Sequence, residues 1–114
     1  MLELIERLVK KWNSSLITGQ LIRDEIIFIS DTLELMRDAK EISNDAYLEF
    51  GSIQGGLSVI SSLLEQDVGK KDILPLLNTL QERTRILNDK YPKLNKTIES
   101  GKYGYSITSI KKNK

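Results

Sequence analysis

The spacing of apolar residues constrains the fold of this chain more than any other feature of its sequence. In two successive stretches, large apolar side chains recur at alternating intervals of four and three residues. This period keeps them on one face of an α-helix, whereas a strand alternates every second residue. The positions are Ile22, Ile26, Ile29, Leu33 and Met36, then Ala46, Phe50, Ile53, Leu57, Ile60 and Leu64. We therefore expect two long amphipathic helices.

Capping residues and shorter patterns place the other helices. A first helix is predicted over residues 2–12, where Trp12 seals the edge of the core. Thr18 is expected to cap a second helix that runs to about Glu41, and Ser43 or Asn44 to cap a third over residues 45–66. Leu21, Phe28 and Leu35 add a second apolar stripe to the second helix.

The last third of the chain repeats the same pattern. Asp72 is the expected N-cap of a fourth helix, with Pro75 in its first turn. Its core positions are Ile73, Leu77, Leu80, Thr84, Leu87 and Tyr91. Pro92 ends or bends this helix, and a short segment around Leu94 and Ile98 follows, closed by Gly101 at a C′ position.

Short links between these segments favour contacts between helices that are neighbours in sequence. We predict an all-α fold, an antiparallel four-helix bundle with a short extra C-terminal turn and a basic tail. The domain covers residues 1–101 and the tail covers residues 102–114, which contain two further tyrosines.

Three glycines interrupt the third predicted helix at Gly51, Gly55 and Gly56. Gly51 and Gly55, with Ser58 and Ser62, form a stripe of small side chains that would let another helix approach closely. The alternative is a kink or break near Gly55. A phosphate-binding glycine loop is a third reading, but its sequence pattern is missing.

The residue types that are missing exclude several chemistries. The chain contains no His and no Cys. A Ser-His-Asp or Cys-His catalytic arrangement, the usual zinc sites and the Glu-x-x-His pairs of di-iron bundles are therefore impossible. We expect no cofactor, no metal and no catalytic residue. Residues 23–26 and Arg37 resemble the first helix of helical chorismate mutases, but the other cations that would hold a dianionic substrate are not at matching positions.

Charge divides the chain into two parts. Residues 1–69 carry 6 basic and 12 acidic side chains, and residues 70–114 carry 11 basic and 4 acidic ones. The two parts either attract each other within the fold or form two unlike faces for different partners. The moderate pI of about 7.9 and the acidic helices argue against nucleic acid as the main partner.

The basic tail contains aromatic residues beside lysines. Lys102, Tyr103 and Tyr105 lie near its start, and Lys111 and Lys112 near its end. Such a segment can contact an anionic lipid surface, an acidic groove of a protein or RNA. The alternative is a frayed terminus with Tyr103 folded back onto the helices. These five residues are the candidate partner-binding residues.

Together, the helical layout and the sequence Lys102-Tyr103-Gly104-Tyr105 resemble the immunity proteins of pediocin-like bacteriocins, the enterocin A immunity family. The resemblance implies a cytoplasmic four-helix bundle that protects a bacteriocin producer. It also implies that the protein recognises a membrane sugar-transporter complex with bound bacteriocin, and that the C-terminal half sets specificity. Residues 106–114 and the glycine-rich segment depart from the pattern of the family.

Two further expectations concern location and partners. The chain begins with acids among leucines and then lysines, the reverse of a secretory signal, so we expect a cytoplasmic protein with peripheral contact at the membrane. The alternative function is a non-enzymatic adaptor or regulator of phage or plasmid type that binds a protein partner. Monomer and homodimer both stay open.

Overall fold

Helices account for most of the structure. The computed structural model describes residues 1–101 and Gly104, and in that part of the chain it contains five α-helices and no strand. They are α1 (Leu2–Lys10), α2 (Gly19–Asp38), α3 (Asn44–Glu65), α4 (Lys70–Lys90) and α5 (Pro92–Glu99). The predicted all-α class and the short fifth helix are confirmed.

The helices pack around one core. α3 lies between α2 and α4, and α4 also packs against α1 and α5. The core positions predicted from spacing are buried, except Ile26, Leu64 and Tyr91, which are partly buried against it. The second stripe of α2 is less covered than expected, since Leu35 is 46% exposed. Hydrophobic burial on one face of each helix therefore explains the association of the helices.

Side-chain caps begin two of the helices as predicted. The Thr18 hydroxyl accepts a hydrogen bond from the Leu21 amide at 3.1 Å at the start of α2. The Ser43 hydroxyl accepts one from the Ala46 amide at 3.1 Å at the start of α3. Each cap satisfies an amide that has no partner within its helix.

The ends of α2 and α3 carry a feature that the sequence did not signal. Lys40 and Asp67 follow these helices with φ of 59° and 60°, in the left-handed region that glycine normally occupies. The Glu41 amide bonds the Met36 carbonyl at 2.8 Å and the Val68 amide bonds the Leu63 carbonyl at 3.1 Å. These are Schellman motifs, and they stop both helices close to the predicted ends.

The predicted start of α4 is wrong. The helix begins at Lys70 with Gly69 as its N-cap, so Asp72 lies within the first turn and Pro75 is beyond it. The reason is tertiary: the Trp12 indole donates a hydrogen bond to the Lys70 carbonyl at 2.8 Å, and the Lys70 ammonium donates one to the Ser14 carbonyl at 2.7 Å. These bonds hold Lys70 against the end of α1. Trp12 is buried, as expected of a residue that seals the core.

A close contact between α2 and α3 also went unpredicted. The Ser61 hydroxyl donates a hydrogen bond to the Gly19 carbonyl at 2.9 Å. A Cβ at Gly19 would lie 2.7 Å from Cγ of Glu65 and 3.0 Å from the Ser61 carbonyl oxygen. A side chain at Gly19 would displace Glu65 and press on the backbone of α3, so glycine favours this close approach.

Candidate interaction site

The five predicted partner-binding residues, Lys102, Tyr103, Tyr105, Lys111 and Lys112, lie outside the residues that the structure describes. The structure does describe two glycines in this region, Gly101 and Gly104. Gly101 follows α5 with φ of 80°, as predicted for a C′ residue, and the Gly104 amide bonds its carbonyl at 3.0 Å. A Cβ on Gly104 would lie 3.8 Å from Cε1 of Phe28. Gly104 therefore lies beside α2.

Two side chains of α5 bind the start of α1. Oδ1 of Asn95 accepts hydrogen bonds from the Met1 ammonium at 3.0 Å and from the Leu2 amide at 3.1 Å. Oε2 of Glu99 accepts one from the Glu3 amide at 2.6 Å. Burial lowers the pKa of the Met1 amino group, and the nearby Glu99 carboxylate opposes that shift. These bonds therefore hold α5 against the start of α1 as far as Glu99.

The predicted glycine cluster divides into two kinds of position. α3 is one continuous helix from Asn44 to Glu65, so an interruption near Gly55 is ruled out. A Cβ at Gly56 would lie 2.4 Å from Cδ2 of Leu80, which makes Gly56 a packing residue between α3 and α4. A Cβ at Gly51 or Gly55 would meet nothing within 4 Å.

Gly51 and Gly55 therefore have no explanation within the described chain. A glycine in a helix interior costs about 1 kcal/mol relative to alanine. The predicted close approach of another helix at this stripe does not occur among residues 1–101 and Gly104. Both glycines face outward on α3, together with Ser58.

A groove of about 180 Å³ lies between α3 and α4. Arg83 donates a hydrogen bond to the Ser52 hydroxyl at 2.6 Å, and Lys90 forms an ion pair with Glu49 at 2.9 Å. The hydrogen bond from Lys90, and after it one from Tyr91, lowers the pKa of Glu49, while Glu49 raises the pKa of Lys90. In the described chain, this is the single ion pair joining the acidic and basic parts through α3 and α4.

A second groove, of about 290 Å³, lies between α2 and α3. Arg23 pairs with Glu65 at 2.8 Å across it. Ile26, Ile27, Ser58, Ser61 and Ser62 form the rest of its lining. The two grooves run along opposite sides of α3.

The outward face of α3 and the adjoining edges of α2 and α4 form an apolar surface, which we call the α3 surface. Residues 50–64 contain no charged side chain. Leu48 is 68% exposed and Val59 54% exposed on α3. Ile27 of α2 lines one groove and Ile86 of α4 the other, and both are exposed. Leu76 precedes Arg83 by two helical turns and extends the α4 edge.

The side chains that carry reactive groups are dispersed. Among residues 1–101 and Gly104 no three carboxylates come together in a group that could hold a metal ion. Arg23 pairs with Glu65, whereas Arg37 lies over the ring of Tyr47 at 4.7 Å. Glu25, between them in sequence, is fully buried. The segment that resembles chorismate mutases therefore does not bring its cations to one site.

No helix in the described part of the chain is both long and apolar enough to cross a membrane. The described residues form a small all-helical fold. Comparison with known proteins adds no assignment: no family model matches the chain, and no curated protein or solved structure is significantly similar to it.

Proposed function

We propose that this chain is a non-enzymatic interaction protein, a bacteriocin immunity protein that protects its producer. It acts from the cytoplasmic side on a membrane sugar-transporter complex with bound bacteriocin. The proposal rests on the resemblance carried by the sequence Lys102-Tyr103-Gly104-Tyr105, which follows α5 in the chain. α5 is bound to α1, and Gly104, the one residue of this sequence that the structure describes, lies beside Phe28 of α2. A recognition segment with a fixed origin loses less entropy on binding than one on a free chain end.

The proposal includes an antiparallel four-helix arrangement of α1–α4. Three contacts support it, because each joins the start of one helix to the end of its neighbour. Arg23 pairs with Glu65 between α2 and α3, and Glu49 pairs with Lys90 between α3 and α4. Trp12, just after α1, bonds Lys70 at the start of α4. Such bundles present a rigid platform for a terminal recognition segment.

Resistance to bacteriocins tests the function directly. Expression of the full chain in a bacteriocin-sensitive strain should confer resistance to at least one member of a panel of pediocin-like peptides. Deletion of residues 102–114 should abolish that resistance while the helical circular dichroism spectrum stays unchanged. Failure of the full chain against every peptide in the panel contradicts the proposal.

Paired substitutions separate the two parts of the tail. Tyr103→Ala with Tyr105→Ala removes the aromatic contacts, whereas Lys111→Ala with Lys112→Ala removes charge from the end. If the two tyrosines recognise the receptor, their substitution abolishes protection. Substitution of the two lysines then only weakens protection, in a salt-dependent way. Loss caused equally by both pairs would point to general adhesion at an anionic membrane.

A second function is supported by the α3 surface rather than the tail. Exposed apolar patches on small proteins commonly mark binding sites for other proteins. An adaptor that binds a protein partner through this surface would keep its partner after deletion of residues 102–114 and lose it on Val59→Glu. The immunity proposal predicts the opposite dependence, so the same two variants distinguish the functions.

The proposal that the protein is not an enzyme has its own test. The resemblance of residues 23–26 and Arg37 to chorismate mutases specifies the reaction to assay. We expect no formation of prephenate from chorismate above the uncatalysed rate. Measurable turnover that is lost on Arg37→Ala would contradict the proposal.

A further inference from the structure

No other part of the described chain covers the glycines of the α3 surface. Gly51 and Gly55 lower the stability of a continuous helix, and nothing in the described structure approaches them. Leu48 and Val59 are exposed on the same face. These four residues place bare backbone between two apolar side chains, the arrangement that lets a second helix pack at short distance.

Charges at the edges of this surface indicate what covers it. On α2, Asp31, Glu34 and Asp38 follow Ile27 at intervals of 4, 7 and 11 residues, so they share its edge and are exposed. On α4, the exposed edge carries Arg83 and Lys90. Arg23 and Asp72 lie on the same two edges nearer the other end of the surface. Arg23 is paired with Glu65 there, and Lys90 is paired with Glu49. Beside the first half of α3 the α2 edge is therefore acidic, and Arg83 is the basic residue of the α4 edge that has no ion-pair partner among the described residues.

The two edges also match in height along α3. Arg37 lies over Tyr47, so Glu34, one turn earlier in α2, lies near the level of Gly51. Arg83 bonds Ser52, which is at the same level on the opposite edge. Within the described chain neither Glu34 nor Arg83 forms an ion pair. Glu34 lies on one side of the α3 surface and Arg83 on the other. Because α3 lies between them, they do not pair with each other within one molecule.

We propose that the α3 surface is the contact between two copies of this chain, related by a two-fold axis that runs parallel to α3. Such an axis sets α3 against α3 and lays α2 of one copy over α4 of the other. Glu34 of each copy then faces Arg83 of the other, and Val59 meets its own equivalent near the axis. A second copy pairs both edges at once, because the acidic part of each α2 edge faces the basic part of the other molecule's α4 edge. The proposal is independent of the immunity function, since it involves no residue of the tail. It competes with the adaptor function, because a second copy would cover the surface that the adaptor would use.

Self-association of the full-length chain is the first test. Sedimentation velocity and light scattering over a wide range of protein concentrations should show a reversible monomer–dimer equilibrium. Val59→Glu places two carboxylates opposite each other and should raise the dissociation constant by on the order of 100-fold. Leu16→Glu is the matched control, because Leu16 is 56% exposed and lies outside the α3 surface. It should leave the constant unchanged.

Charge reversal tests the two-fold geometry. Glu34→Lys alone and Arg83→Glu alone each create two like-charge contacts per dimer, and each should weaken association by about 10-fold or more. An equimolar mixture of the two variants should associate about as tightly as the wild type, since both contacts are then restored in the mixed dimer. Rescue by mixing is not expected if either residue merely supports the fold of its own chain.

Gly55→Ala tests the close approach of the two helices. Its Cβ meets nothing in the monomer, so the variant should be at least as stable in dilute solution. In the dimer the added methyl group separates the helices, and the dissociation constant should rise by about 10-fold. The proposal is overturned if the wild type is monomeric at every concentration, or if Val59→Glu and Leu16→Glu behave alike. It is also overturned if mixing the reversed variants restores nothing.

Discussion

Glu49 shows how a single residue of α3 can report on the packing of α4. Its carboxylate lies at the rim of the α3–α4 groove and pairs with Lys90, whose ammonium is also 5.3 Å from the centre of the Tyr91 ring. The side chains are about half exposed, so the pair contributes little to stability at neutral pH. The pair is informative through its pH dependence, because the pKa of Glu49 is lowered only when α4 is packed against α3.

Stability should therefore fall in acid partly through this residue. The pKa of Glu49 in the folded protein is below its ordinary value of 4.5, so the unfolded chain binds more protons between the two values. The contribution of the pair is complete above 4.5 and is lost as the pH falls through the lower, folded pKa. Urea unfolding from about pH 3 to 6 should show a shallower decline for Glu49→Gln than for the wild type.

A thermodynamic cycle identifies the origin of that effect. Lys90→Met should reduce the acid-dependent loss in the same way, and the double variant should add nothing to either single change. Parallel pH curves for the wild type and Glu49→Gln would contradict the assignment.

At the scale of helices, the short α5 stabilises the start of α1. It carries no side-chain cap of its own, yet it supplies the cap of α1 through Asn95 and Glu99. Ile98 inserts into the common core at the same time. α5 thus joins the first helix to the last part of the chain, across more than 90 positions in sequence.

Removal of the Asn95 side chain should destabilise the protein markedly. Asn95→Ala leaves the Leu2 amide without its acceptor and leaves the buried Met1 ammonium with Glu99 alone, at 3.4 Å, which together cost about 1–3 kcal/mol. Lys96→Ala changes the adjacent, exposed residue of the same helix and should stay within about 0.5 kcal/mol of the wild type. Chemical denaturation measures both. Equal effects would mean that α5 does not cap α1.

At the scale of the whole molecule, the buried side chains form one continuous cluster. Phe50 of α3 is fully buried at its centre, and Trp12, beyond the end of α1, is only 2% exposed. Since α1 packs on α4 and α4 on α3, no group of helices has a core of its own. We expect residues 1–101 to unfold as a single domain.

Trp12 makes that expectation measurable, because it is the only tryptophan in the chain. Its fluorescence reports on the junction of α1 with α4, whereas far-ultraviolet circular dichroism reports on all helices. The two unfolding curves should coincide in urea, as for a two-state transition. A fluorescence transition that precedes the loss of helix would show that α1 separates before the rest. Trp12→Phe, which removes the hydrogen bond to the Lys70 carbonyl, should cost about 1–2 kcal/mol.

Local sequence rules determined most of the helical layout. Alternating spacing of apolar residues predicted which side chains of α2, α3 and α4 are buried, because a helix brings every third or fourth residue to one face. Thr18, Ser43, Pro92 and Gly101 marked helix ends through chemistry that acts within a few residues. The charged tail and its tyrosines were also evident, although they lie outside the described residues.

Only the tertiary structure decided how these helices meet. Long-range contacts moved the start of α4 from Asp72 to Lys70, and they assigned Gly56 to packing while leaving Gly55 exposed. Lys40 and Asp67 end helices in a conformation that favours glycine, which their residue types do not reveal. The binding of α1 by Asn95 was equally invisible in the sequence. Side-chain spacing defines a face within one helix, but which face meets which partner depends on three-dimensional packing between segments distant in the chain.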